Sequence, residues 1–224
     1  TGRARVTSKA PGEIWFDFTP GEGPVGIKIR QPDPDMTGDY VRDIQVMAQP
    51  YILLAEAGAV FNPAWLNVVD DLRMVRFMDW MKTNGSTQSG WDGRPLQSDF
   101  TYGWRGVPVE VMVRLANEIG ADPWFTMPHL AEEGYLTAFA SYVHDHLDAE
   151  LNAHVEYSNE MWNWGFQQAQ WALREGEARW GKGQDVQMQF AGMRAAEMAR
   201  IWGEVYGDAA EGRLTRVIAT HIGW

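Results

Sequence analysis

Five short apolar runs, each of five to seven residues, recur along most of the chain with helical stretches between them. They are Asp43–Ala48, Met74–Trp80, Pro123–Pro128, Val155–Asn159 and Arg216–Thr220. Strands that alternate with amphipathic helices run parallel, because each helix returns the chain to the same edge, so the pattern predicts an α/β protein of βα units. The helix signals are specific. Residues 108–119 open on Pro108, set Val111, Leu115 and Ile119 on one stripe and stop at Gly120. Residues 133–150 carry Leu136, Phe139, Val143 and Leu147 at like spacing, and helices at 165–180 and 185–206 are split by Gly181-Lys182-Gly183. A long loop, Lys82–Gly106, follows the second run.

Polar residues gather where the runs end. Arg76, Asp79 and Trp80 close the second, His129 follows the third, Asn159 and Glu160 close the fourth, and His221 and Trp224 follow the fifth. In a (β/α)8 barrel the C-terminal strand ends form the active face, so chemistry-capable groups are expected on one rim. Residues 1–40 differ. Ile14–Phe18 and Val25–Arg30 read as strands separated by Pro20–Pro24 and closed by a Pro/Asp/Gly stretch at 31–39, which suits the end of a β-rich, sandwich-like segment and a linker. Residues 41–224 then read as a partial (β/α)8 TIM barrel, about strands 1–5, cut before its second half. The start at Thr1, with no leader pattern, and the strand reaching the last residues agree with an internal fragment.

Composition narrows the function. With 19 Lys+Arg against 30 Asp+Glu the formal charge is −11, and no basic run exceeds two residues, which disfavours nucleic acid as a partner. The absence of Cys excludes disulfides, iron–sulfur clusters and thiolate nucleophiles. No apolar run nears the roughly 20 residues of a membrane span. No complete Gly-x-x-x-x-Gly-Lys-Ser/Thr phosphate loop and no Gly-x-Ser-x-Gly elbow occurs, and no cofactor is expected. Twelve Trp supply flat apolar platforms in addition to packing.

The strongest local signal is Val155-Glu-Tyr-Ser-Asn-Glu-Met-Trp-Asn-Trp164. A carboxylate at a strand end, preceded by an amide and flanked by indoles, is what a general acid in a sugar cleft requires. Tyr157-Ser-Asn-Glu160 resembles the Asn-Glu acid/base signature of the clan A retaining (β/α)8 glycoside hydrolases. The resemblance covers roughly 41–224 and rests on the Asn-Glu element. It implies Glu160 as acid/base, Asn159 as the amide that bonds a sugar hydroxyl, Arg76 as the strand-two arginine that orients the nucleophile, and His129 as a substrate-site histidine. Asp79, Trp80, Tyr157, Trp162, Trp164 and His221 complete the expected substrate-binding set. The clan's nucleophile, a second Glu after the seventh strand, has no counterpart in these 224 residues, so this chain alone is expected to be inactive.

Alternatives stand beside each assignment. Glu160 could cap the following helix, Arg76 could pair with Asp79, and Glu156 could be a buried partner of Arg76 with no catalytic role. His129 could be a loop histidine bonded to backbone, and Trp162 and Trp164 could be packing residues, as Trp171, Trp180 and Trp202 on helices are expected to be. His144-Asp145-His146 reads as solvated surface, because i,i+2 residues on a helix diverge. Asn84-Gly85-Ser86 is a turn signal before it is a glycosylation sequon. The expected function is retaining hydrolysis of a neutral poly- or oligosaccharide, with a non-catalytic carbohydrate-binding barrel as the competing reading. A secreted or periplasmic location would suit such a substrate, and the oligomeric state is left open.

Overall fold

Contacts divide the chain into two units, Thr1–Gly58 and Ala59–Trp224. A computed structural model describes residues 3–23 and 25–221; Trp224 lies outside them. In the first unit, β1 (Ala4–Ala10) and β2 (Glu13–Phe18) form an antiparallel hairpin in which Ala10 faces Glu13. Its two-residue turn uses Gly12 at φ 76°, a left-handed conformation open to glycine at little cost. The strand expected at 14–18 is thus part of β2, whereas Val25–Arg30 forms none. Gly26 interrupts the run, and Ile27 and Ile29 are exposed on a segment with no ladder to join.

The expected first barrel strand, Asp43–Ala48, is also absent. Asp43 sits at φ 54°, Ile44 and Val46 are exposed, and the segment runs straight into a 3-10 turn at Gln49–Tyr51 and the short α1 (Ile52–Glu56). Alternating apolar residues stabilise a strand only when a partner pairs its backbone and a layer covers one face. Neither condition is met here.

The second unit contains α2 (Pro63–Val69), β3 (Met74–Arg76), α3 (Val109–Ile119), β4 (Asp122–Met127), α4 (Glu133–His146), β5 (Ala153–Tyr157), α5 (Gln167–Trp180), α6 (Val186–Tyr206) and β6 (Leu214–Val217). The sheet is four-stranded and parallel, in the order β3-β4-β5-β6, so each strand lies beside its sequence neighbour. This is the mixed α/β arrangement that the alternation predicts, with four parallel strands where five were expected. Helix ends follow their signals: Pro108 precedes α3, Gly120 ends it at φ 63°, and Asn62 caps α2 by accepting the Ala64 N–H at 2.9 Å.

The two faces of the sheet differ. Phe125 faces the helices, where it meets Phe77, Phe139 and Trp202 at ring distances of 5.7, 5.2 and 6.2 Å. Val75 and Val155 belong to the same core, with Leu136, Val143 and Met198. Because side chains alternate along a strand, Arg76, Trp124 and Glu156 share the opposite face. Trp180 departs from its expected place in the core. As the last residue of α5 it is 46% exposed and touches Phe190 only at one edge of the helix pair, with ring centroids 6.1 Å apart.

Candidate functional site

Arg76, the last residue of β3, reaches across Trp124 of β4 to Glu156 of β5. Its Nη2 and Nε donate to one Glu156 carboxylate oxygen at 2.7 and 3.2 Å, the Trp124 Nε1–H donates to the same oxygen at 2.9 Å, and the guanidinium lies 5.2 Å from the Trp124 ring. Glu156 is only 2% exposed. A carboxylate so deep is tolerable when a cation and donors compensate its lost hydration. Arg76 therefore pairs with Glu156 rather than with Asp79.

The same guanidinium extends the network. Nη2 also donates to Asn159 Oδ1 at 3.0 Å, and Asn159 Nδ2 donates to Asn84 Oδ1 at 3.0 Å. Gln168, buried on α5, donates through its amide nitrogen to Asn84 Oδ1 at 2.8 Å and to the Asn159 carbonyl at 2.9 Å, while its oxygen accepts the Gly85 N–H at 3.0 Å. Both Gln168 donors are thus spent on position. Asn159 commits one of its two N–H groups to Asn84, which leaves the other without a hydrogen bond among the described residues.

Backbone turns separate Asn159 from Glu160. The Ser158 N–H still bonds to the Met127 carbonyl at 2.8 Å, but Ser158 sits at φ 59° and Glu160 at φ 44°. Left-handed backbone at non-glycine residues costs roughly 1–3 kcal/mol each and persists where the surroundings fix it. Here it directs Asn159 into the network and leaves Glu160 partly exposed, its carboxylate accepting from Asn163 Nδ2 at 2.8 Å. Helix α5 begins only at Gln167, with Phe166 before it, so Glu160 does not cap that helix.

The other expected site residues divide. Trp162 is half-buried and meets the His221 ring edge-on at 6.0 Å, and Trp164 is exposed. Trp80 stacks on Trp65 at 6.1 Å and packs at a tilt against Phe77 at 5.4 Å, a packing role. Asp79 is exposed in a turn, because β3 stops at Arg76 and the chain folds back with Met81 N–H on the Phe77 carbonyl at 2.8 Å. Tyr157 is buried on the helix side, its hydroxyl donating to the His129 carbonyl at 2.7 Å, and desolvation pushes that hydroxyl up to about 12. Asn84, Trp124 and Gln168, which sequence reasoning did not place in the site, hold it together. Asn84 was legible only as a turn; a polar Gln168 beside Ala169 and Ala172 on the buried stripe of α5 was the available signal.

His129 lies 4% exposed against Trp171, ring centroids 5.2 Å apart, with Nδ1 unpartnered. Burial without a counter-charge lowers its pKa to about 4. The unfolded chain binds that proton near pH 6.5, so His129 contributes its full stability above about 6.5 and loses it as pH falls toward 4. Urea denaturation at pH 7 and pH 5 should show a steeper acid loss in the wild type than in His129→Gln, by about 2 kcal/mol. Equal losses would remove His129 as the source.

A cavity lined by Met81, Gln88, Trp91, Arg94, Tyr135 and Phe139 among others shares no residue with this network. Comparison with known protein families, curated proteins and solved structures finds no match to the chain.

Proposed function

We propose that this chain is part of a partial (β/α)8 barrel of a retaining glycoside hydrolase, resembling clan A, with Glu160 as general acid/base. One observation carries the reading: the Arg76–Asn159–Asn84–Gln168 network fixes the residue beside a partly exposed carboxylate at the C-terminal end of a parallel strand. The polymer substrate is neutral, in keeping with a net charge of −11.

Glu160 protonates the glycosidic oxygen as the bond to the anomeric carbon breaks, and the nucleophile's carboxylate forms the glycosyl-enzyme. Glu160, now ionised, takes a proton from the water that displaces that carboxylate, restoring both groups. Asn159 directs its remaining N–H at a sugar hydroxyl, and Trp162 supports the ring. The nucleophile has to lie about 5–5.5 Å from Glu160. Glu156 is not assigned that part: it is buried on β5 with one oxygen held by Arg76 and Trp124, and its role is to position Arg76 and through it Asn159.

A second reading, a carbohydrate-binding barrel without catalysis, is favoured by one fact. Glu160 already has a partner within the protein, its carboxylate accepting from Asn163 Nδ2 at 2.8 Å, as a carboxylate with a purely structural role would. Glu160→Gln in the full-length protein separates the two. Hydrolysis of aryl glycosides with poor leaving groups should fall by about a hundredfold or more, with glycan binding kept. Undiminished turnover would sink the acid/base role; binding with no wild-type turnover would establish the second reading.

A further inference from the structure

We propose that the tip of the Lys82–Gly106 loop, through Phe100 and Trp104, is a separate platform for a neutral sugar chain, an inference that rests on the glycan-active reading above. Phe100 is 82% exposed and Trp104 74% exposed, yet the two rings meet edge to face at 5.1 Å and 87°. Large aromatic rings in water need a reason when no core takes them.

The loop beneath them is tied down. Asp99 accepts the Leu96 N–H at 3.0 Å, the Tyr102 hydroxyl donates to the Gln97 carbonyl at 3.3 Å, and Gly106 N–H returns to the Tyr102 carbonyl at 3.1 Å. At the base, Val107 N–H bonds to the Trp80 carbonyl at 2.7 Å. Gly106, at φ 99°, makes that approach possible, because a Cβ there would lie 2.4 Å from the Trp80 oxygen. The rings are therefore held outward before any ligand arrives, which reduces the ordering cost of binding. At its other end the same loop carries Asn84 and Gly85, bonded to Asn159 and Gln168, so platform and site share one anchored segment.

Charge and size select the ligand. The tip carries Asp92, Asp99, Arg94 and Arg105, which cancel. Three of them are engaged internally: Asp99 with Leu96, Arg105 with the Gly93 carbonyl at 3.5 Å, and Arg94 over the Trp91 ring at 4.3 Å and beside Glu110 at 3.8 Å. These four residues give the tip itself no net charge with which to attract a polyanion or a polycation. Two rings offer roughly 300–400 Å², about half of what each partner contributes to a stable protein interface and enough for one or two pyranose faces. A sugar lays its C–H face on the indole while its hydroxyls stay in water.

Native gels cast with galactomannan, xylan, hydroxyethylcellulose or mixed-linkage β-glucan test this in the full-length protein. The wild type should be retarded by at least one polymer. Trp104→Ala and Phe100→Ala/Trp104→Ala should weaken the apparent affinity by about five- to tenfold, with unchanged circular dichroism, and Trp104→Phe should keep most of it. Retardation of Trp104→Ala equal to wild type would overturn the platform, as would no wild-type retardation in any gel. Flotation with phosphatidylcholine vesicles that requires Trp104 would overturn it in favour of a lipid anchor. Aryl-glycoside hydrolysis in Glu160→Gln judges the active-site reading alone, so the two can fail separately.

Discussion

Arg76→Met should lower stability by about 3–5 kcal/mol, because it strips the cation from a carboxylate that water barely reaches. Three charge-assisted contacts are lost together, two to Glu156 and one to Asn159, and the Trp124 N–H at 2.9 Å remains as the main compensation for the buried charge. For a unit of this size the thermal midpoint should drop by roughly 6–20 °C. The partner variant separates charge from packing. Arg76→Met/Glu156→Leu removes both charges, and most of the stability should return, since the buried carboxylate that needed the cation is gone and an apolar side chain takes its place. The double variant still lacks the Nη2 bond to Asn159, so glycan binding at the proposed site should stay weak in a folded protein. A single Arg76→Met variant within 1 kcal/mol of wild type in urea would show that the pair does not anchor the sheet face.

That pair shows what was legible in the sequence. Arg76 and Glu156 are 80 residues apart, yet both lie near the ends of parallel strands, and strand order alone brings such ends to one edge. The helices were legible for a similar reason: their stripes repeat over three or more turns, and glycines mark their stops. Asp43–Ala48 and Val25–Arg30 failed because a short alternating run carries no information about whether a neighbour exists to pair it. Met74–Trp80 was too long as a strand. The turn that shortens it depends on the Phe77–Met81 and Trp80–Val107 backbone bonds, and no residue type announces them. Within the site, Asn159 and Glu160 were legible as a local motif. The amides that position Asn159 were not, since Asn84 and Gln168 acquire meaning only when the loop after β3 folds onto the start of α5.

Trp202→Ala should cost about 3–5 kcal/mol, comparable to the loss of Arg76, from a site with no charge at all. Trp202 is fully buried on α6, where the sheet and α4 converge on it through Phe125 at 6.2 Å and Phe139 at 6.1 Å, with Tyr206 stacked at 6.0 Å. Truncation removes both the apolar transfer energy of the ring and its contacts, and close-packed neighbours on three elements cannot collapse far enough to fill the space. The indole also carries a penalty, because its Nε1–H is buried without a hydrogen-bond partner. Trp202→Phe keeps most of the volume and removes that orphan donor, so its net cost should stay below about 1.5 kcal/mol. The two variants therefore assign the residue's contribution to volume or to polarity. A Trp202→Phe loss as large as the alanine loss, measured by urea denaturation with unchanged slope, would mean that the N–H is bonded in solution and that a polar contact, not packing, holds α6 to the sheet.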